Sequence, residues 1–191
     1  MKKERKGAVV VIDLQDFSIP VAISTPSISA NDLRDISSSQ YQDLLNDPTR
    51  PLFNRAFMGL YPPASTIKPL LTIFALNNEY TNWDETIFDD GFFRFEEEER
   101  IFNAWREGGH GLTDLEKALV ESSNPFFMNL SIRYEKDLFV EFLKSSSFGS
   151  KLCEDCYPHQ FSPLIDDDWK YKNFGKELYK GDFINLSLIH I

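Results

Sequence analysis

Between Ile67 and Ala75 the apolar residues Ile67, Leu70, Leu71, Phe74 and Ala75 recur at spacings of three and four, the mark of a helix that buries a face. The segment is apolar enough to predict the central buried helix of the fold, running to about Asn77. It is approached by Gly59-Leu60-Tyr61-Pro62-Pro63-Ala64, where two prolines impose an extended chain. The helix therefore starts near Ser65, with Pro69 in its first turn, where a missing N–H costs nothing. That start reads Ser65-Thr66-Ile67-Lys68. Three residues make a little less than one turn of about 3.6, so the hydroxyl and the amine fall on one face, within reach of a shared proton. A neutral amine beside a serine hydroxyl is one way to make a nucleophile at neutral pH. The helix N-terminus would help a developing anion or a bound carboxylate. Ser and Lys also meet at this spacing by chance in many helices, as two solvated side chains, so the pair needs company to mean chemistry.

At 191 residues the chain is one domain or a piece of one, long enough to bury a sizeable core. Its 17 phenylalanines point to a substantial aromatic core or groove. The net charge of −10 argues against nucleic acid as a partner. Asp84 to Arg100 holds eight acids against two arginines, and Asp166-Asp167-Asp168 adds a second run; both read as solvated loop. No apolar run approaches the 18 or so residues of a membrane span, and no signal-peptide core follows the basic Lys2–Lys6. On that ground alone the chain reads as cytosolic. Cys153 and Cys156 form one Cys-x-x-Cys pair with His159 three residues on. Without a second pair, free thiols or a local disulfide are favoured over metal or redox chemistry, and a partial site stays open.

In chain order, Gly7 to Asp13 and Ser18 to Ser24 read as a β-hairpin, with Pro20 marking an edge or a bulge. A polar stretch follows to Arg50, with one helix near Ser38 to Leu45 capped from Ser37-Ser38-Ser39. Thr81 to Gly111 reads as an irregular insert with short strands at Gly91–Phe95 and Glu99–Phe102, closed by a flexible Gly108-Gly109-His110-Gly111 turn. Thr113-Asp114-Leu115-Glu116 has the form of a capping box with Thr113 as the cap, opening a helix that stops before Pro125. Further helices are expected at Phe126–Tyr134, with Phe127, Leu130 and Tyr134 inward, and at Lys136–Leu143. Beyond Lys151 the signals weaken into loop.

Ser122-Ser123-Asn124 places a Ser-x-Asn between two predicted helices, well downstream of Ser65. Read alone it is ordinary polar capping. Ser-x-x-Lys followed by Ser-x-Asn, each at a helix boundary, is the beginning of the serine acyl-transfer signature of β-lactamases and penicillin-binding proteins, which a Lys-Thr-Gly completes. The chain resembles the class B penicillin-binding proteins, specifically the elongation-type peptidoglycan D,D-transpeptidases among them. The resemblance is carried by Arg5-Lys6-Gly7-Ala8-Val9-Val10-Val11-Ile12-Asp13, by Pro51-Leu52-Phe53-Asn54-Arg55-Ala56, and by Tyr61-Pro62-Pro63-Ala64-Ser65-Thr66-Ile67-Lys68-Pro69. It continues through Phe88-Asp89-Asp90-Gly91, Gly109-His110-Gly111, Glu121-Ser122-Ser123-Asn124 and Tyr179-Lys180-Gly181-Asp182. It implies an α+β chain, a partial serine transpeptidase/β-lactamase-like fold: a helical subdomain with the nucleophile at a helix N-terminus, plus part of an antiparallel sheet.

The resemblance also implies roles. Ser65 would be the nucleophile toward the D-Ala-D-Ala carbonyl of a stem peptide. Lys68 would be its general base, which requires a lowered pKa. Ser122 would relay a proton toward the leaving amine, and Asn124 would bind substrate amide or hold Lys68. β-Lactams would acylate the same serine. Peptidoglycan stem peptides, and in the intact protein the inner membrane and elongation-complex proteins, are the implied partners. The implied location is the periplasmic face of the inner membrane, and no cofactor is implied. Some members resemble one another in a zinc site of two Asp, one His and one Cys. Asp89 and His110 match two of those positions, whereas Ala104 and Ser123 stand at the others, so no zinc is expected here. A β-lactamase is disfavoured, because nothing matches its deacylating Glu.

Three departures shape the expectation. No Lys-Thr-Gly tripeptide occurs in the sequence, and in the family its strand supplies an oxyanion-hole amide. The family's anchor and pedestal regions have no counterpart, and residues 188–191 leave the family pattern that residues 1–187 follow. The chain is therefore expected to be a truncated transpeptidase domain that is weak or inactive alone. The alternative is a non-catalytic binding or decoy module for cell-wall peptide or elongation partners.

Overall fold

The computed structural model describes residues 5–95, 99–150, 164 and 166–183. Cys153, Cys156, His159 and the tail from residue 188 lie outside these, and so do the expectations attached to them. The chain divides into two compact units, one within Met1–Leu60 and one within Tyr61–Ser150 with the described part of Pro163–Ile191.

In the first unit β1 (Gly7–Val11) and β2 (Val21–Thr25) form the expected antiparallel hairpin, in register from Gly7 opposite Thr25 to Val11 opposite Val21. Pro20 precedes β2 instead of interrupting it, which spares the ladder a missing donor. Three helices follow: α1 (Ala30–Arg34), α2 (Ser38–Asn46) and α3 (Arg55–Met58). Only α2 is expected from sequence, and its start is a capping box, Ser37 with Gln40. The α3 residue Arg55 is buried, its guanidinium donating to the carbonyls of Thr49, Arg50 and Phe53. It thereby ties the turn before α3 to the helix itself.

In the second unit α4 (Lys68–Asn77) is the buried helix that the apolar spacing predicts, and Leu71, Phe74 and Ala75 are fully covered. Its entry differs from expectation. Ser65 lies in a 3-10 turn, Ala64–Ile67, and the α-helix proper begins at Lys68 with Pro69 in its first turn. Around α4 pack α5 (Leu115–Val120), α6 (Asn124–Ser131) and α7 (Lys136–Ser145). The centre is aromatic. Phe74 has Tyr80, Tyr134, Phe139 and Phe142 with ring centroids between 4.9 and 5.6 Å away, within the range where such pairs add to area burial.

The insert holds the two short strands expected near 91–95 and 99–102, and a further strand on each side of them. β3 (Ile87–Asp89) pairs antiparallel with β6 (Gly111–Thr113), and β4 (Phe92–Phe95) with β5 (Arg100–Asn103). Three expectations are corrected here. Thr113 does not cap α5: it is buried in β6 opposite Ile87, and Asp114 caps instead, accepting from the Lys117 amide. The acidic run from Asp84 is not all solvated, because Asp89 is fully buried. The Asp166–Asp168 run is not loop: Asp166 caps α8 (Asp167–Phe174) and the next two acids fill its first turn, where the helix dipole favours negative charge. Lys136 of α7 pairs with Asp167 at 2.7 Å.

Truncating Phe74 to Ala should destabilise the protein by about 3–5 kcal/mol, the usual cost of emptying an aromatic core position. Urea denaturation checks this, and a loss below about 1 kcal/mol would mean that α4 is not the centre of the core.

Candidate active site

α5 ends in a tight reversal. The Ser123 amide reaches the Ala118 carbonyl at 2.9 Å and the Ser122 amide reaches Leu119 at 3.3 Å, the paired closure that needs a left-handed residue between helix and exit. That residue is Ser122, at φ 54°. Glycine is the usual occupant, because a Cβ costs roughly 1–2 kcal/mol there. Ser123 then caps α6, its hydroxyl accepting from the Phe126 amide at 3.3 Å, and Asn124 is the first helical residue. A helix end and a helix start, back to back, thus aim the polar atoms of residues 122–124 at α4. On the other side Ala64 is also left-handed, at φ 49°, where the chain leaves its two prolines for the turn that carries Ser65.

The four residues singled out from sequence meet. Lys68 Nζ donates to the Ser122 carbonyl at 2.8 Å, to Ser122 Oγ at 3.0 Å and to Asn124 Oδ1 at 2.7 Å. Ser122 Oγ in turn bonds Ser65 Oγ at 2.9 Å across 57 residues. The bridge between the Lys68 amine and the Ser65 hydroxyl is thus a second hydroxyl, which the Ser-x-x-Lys spacing alone does not reveal. Lys68 is 2% exposed, and its Nζ lies 5.3 Å from the Phe127 ring centre. Burial pushes its pKa down to about 8, against the opposing pull of the Asp89 charge.

This geometry dictates how a neutral amine would sit. Two of its three partners, the Ser122 carbonyl and Asn124 Oδ1, only accept, so each takes one of the two N–H bonds. The lone pair is left facing Ser122 Oγ. A proton can then pass from Ser65 to Ser122 as the Ser122 proton passes to Lys68, leaving an alkoxide-like Ser65 in the 3-10 turn that leads into α4.

A second polar group lies beneath the site. The β3–β6 pairing brings His110 beside Asp89, backbone to backbone at 3.1 Å. Gly109 makes that approach possible: it is left-handed, and a Cβ there would collide with the Asp89 carbonyl and the Gly91 amide. Asp89 Oδ2 accepts from His110 Nδ1 at 2.7 Å and from Ser123 Oγ at 2.6 Å, and Oδ1 accepts from the Gly91 amide at 2.9 Å. Burial pushes the Asp89 carboxyl up, yet the donors Ser123, His110 and Gly91 together hold it below the usual carboxylate value. The expectation of a flexible turn at Gly108–Gly111 is corrected, since His110 is 7% exposed and anchored. The residues present do not fit a zinc ion. Asp89 and His110 are bonded to each other, Ser123 offers a neutral hydroxyl where a thiolate would ligate, and Ala104 offers no donor. Among the described residues, no three of His, Cys, Asp and Glu gather as a metal set.

A family model described as the penicillin binding protein transpeptidase domain matches residues 7–179. The Haemophilus influenzae protein named Peptidoglycan D,D-transpeptidase MrdA is 36% identical over 184 residues, covering 96% of this chain and 28% of that protein. The structure of Pseudomonas aeruginosa PBP2 in complex with WCK 5153 matches with a TM-score of 0.87 at 28% identity, over 96% of this chain and 42% of that one. A complex between PBP2 and MreC from Helicobacter pylori gives the same TM-score of 0.87 at 28% identity, over 97% of this chain and 34% of that one. The chain thus spans less than a third of the length of the curated relatives that it matches.

Two measurements test the site's physics without any substrate. The Lys68 amine should titrate near 8, followed by NMR of its terminal carbon; a midpoint at the ordinary 10.5 would mean that water reaches it. Ser122→Gly should be more stable to urea than Ser122→Ala by about 1 kcal/mol, because both lose the hydroxyl and only alanine keeps the left-handed penalty. Equal stabilities would contradict the helix-end geometry.

Proposed function

Because the chain belongs to the penicillin-binding-protein transpeptidase family, we propose that it carries the acyl-transfer centre of a peptidoglycan D,D-transpeptidase acting in cell-wall elongation. The observation that carries this reading is the continuous chain of hydrogen bonds from Ser65 through Ser122 to a buried Lys68 held by Asn124. In the proposed reaction Ser65 Oγ attacks the penultimate D-Ala carbonyl carbon of a stem peptide. Its proton moves to Ser122 as the Ser122 proton moves to Lys68. The carbon–nitrogen bond then breaks, and the proton returns through Ser122 to the departing D-alanine amine. What remains is an ester on Ser65, which the amine of a second stem attacks; its proton follows the same route and the serine is restored. A β-lactam would enter the same sequence, its strained amide standing in for the D-Ala-D-Ala bond.

Lys68 fits a general base because its pKa, lowered to about 8 by burial, lies near the working pH, where base catalysis is most effective. A basic lysine at its ordinary value would be protonated almost always. The Asn124 oxygen is taken by Lys68, and in the proposed complex its amide nitrogen would donate to a substrate carbonyl. No Lys-Thr-Gly occurs in the sequence, and the family resemblance gives its strand one of the oxyanion donors. One such donor is typically worth about 10²–10³ in rate, so these 191 residues alone are expected to acylate slowly. No helix among the described residues is long and apolar enough to cross a membrane. By kinship with the relatives named above, the working place we propose is the periplasmic face of the inner membrane, with an MreC-like scaffold as one partner.

Incubated with a fluorescent penicillin, the protein as its gene encodes it should take up one label per chain. Uptake should rise with pH through about 8 as Lys68 loses its proton. Ser65→Ala should take up none and Lys68→Met almost none. Label retained at the parent level in Ser65→Ala would refute the assignment of the nucleophile.

A further inference from the structure

The Asp89 cluster touches neither Ser65 nor the amine of Lys68 directly, yet one of its members sits inside the catalytic segment. Ser123 is fully buried and makes two bonds with one hydroxyl. It donates to Asp89 Oδ2 at 2.6 Å, which leaves its lone pairs to accept the Phe126 amide at 3.3 Å. An ionised carboxylate can only accept, so the direction of the first bond is fixed and with it the rotamer of the cap. The neighbours of Ser123 on either side, Ser122 and Asn124, supply all three acceptors of Lys68 Nζ. His110 closes the cluster from behind. Its Nδ1 bonds Asp89, its carbonyl accepts from Lys117 Nζ at 2.6 Å, and its Nε2 is buried without a partner among the described residues. Ring and carboxylate therefore have little freedom to turn.

We propose that Asp89 is the positioning residue of the Ser122–Asn124 segment, a buried carboxylate that works without a metal and orients the Ser123 cap so that Ser122 and Asn124 surround Lys68. Its charge acts on the same amine through space, being what opposes burial at Lys68. The contribution to rate rests on the acyl-transfer reading given above, whereas the contribution to geometry does not.

The test compares Asp89→Asn and Ser123→Ala with the parent protein as its gene encodes it, by two readouts. In penicillin acylation, the first-order step should slow by about tenfold or more in both variants, as expected for loss of a hydrogen bond to a charged partner. The dissociation constant of the preceding complex should change less than this step, because Asp89 and Ser123 are fully buried and bear on the ligand only through their neighbours. In hydrogen exchange read by mass spectrometry, peptides covering 124–131 should lose protection in both variants while those covering 136–145 keep theirs. An unchanged acylation step in a parent that does label would overturn the positioning role and leave the acyl-transfer reading standing. A parent that takes no label would overturn the acyl-transfer reading, and exchange at 124–131 would then decide the positioning claim alone. Equal loss of protection in both helices would show that Asp89 serves the fold at large and would overturn the proposal. So would one equivalent of tightly bound zinc whose removal by a chelator loosens residues 124–131.

Discussion

The arrangement depends on one buried amine. Lys68 is almost wholly removed from water, and a buried ammonium is tolerated only where its protons find acceptors. It finds three, all from the two residues Ser122 and Asn124. That requirement governs much of the second unit. The α5 end must reverse within one residue, α6 must begin at once, and both must meet the first turn of α4. The same burial lowers the pKa of Lys68 toward the range of a useful base, so the interaction that organises the packing also sets the chemistry. Asp89 moderates it. A carboxylate nearby keeps the amine from falling further, and its own charge is stabilised by three hydrogen bonds instead of water.

Much of this was legible in the residues. The spacing of Ile67, Leu71 and Phe74 located the central helix, and Phe127 and Leu130 located α6, because both bury an apolar face whose period survives in sequence. Ser65, Lys68, Ser122 and Asn124 were legible as a set only through the order of two short motifs and the resemblance that follows from it. What stayed hidden has particular causes. β3 and β6 have three residues each, too few for an alternation to register. α8 was hidden because three consecutive acids look like solvated loop, although the same acids suit a helix start. Asp89, His110 and Ser123 were grouped only by the resemblance, as positions of a zinc site; that Asp89 is buried and bonded directly to the other two was hidden, because the burial of a charge is decided by partners far along the chain. The role of Ser122 as a bridge was hidden because it depends on a left-handed backbone that serine seldom adopts.

Those two left-handed residues, Ala64 and Ser122, flank the site from opposite sides. Strain of this kind persists where the surrounding structure over-determines it. At Ser122 the cause is visible: glycine would satisfy the backbone better, and only a side chain at that position can reach both Ser65 and Lys68. The helix end is therefore built less favourably than it could be, for the sake of one hydroxyl.

The bridge also has a consequence for the order in which the protein becomes competent. Ser65 and Lys68 are neighbours in the chain, but the atoms that join them arrive from 57 residues away. Contacts between distant segments form late, after the loop-closure entropy has been met. Until α5 and α6 dock on α4, Lys68 is an ordinary hydrated lysine and Ser65 an ordinary alcohol. The hydrogen-bonded relay from Ser65 to Lys68 thus exists only in the finished tertiary structure. Under the acyl-transfer reading, a penicillin that labels Ser65 reports on completed folding as much as on catalysis.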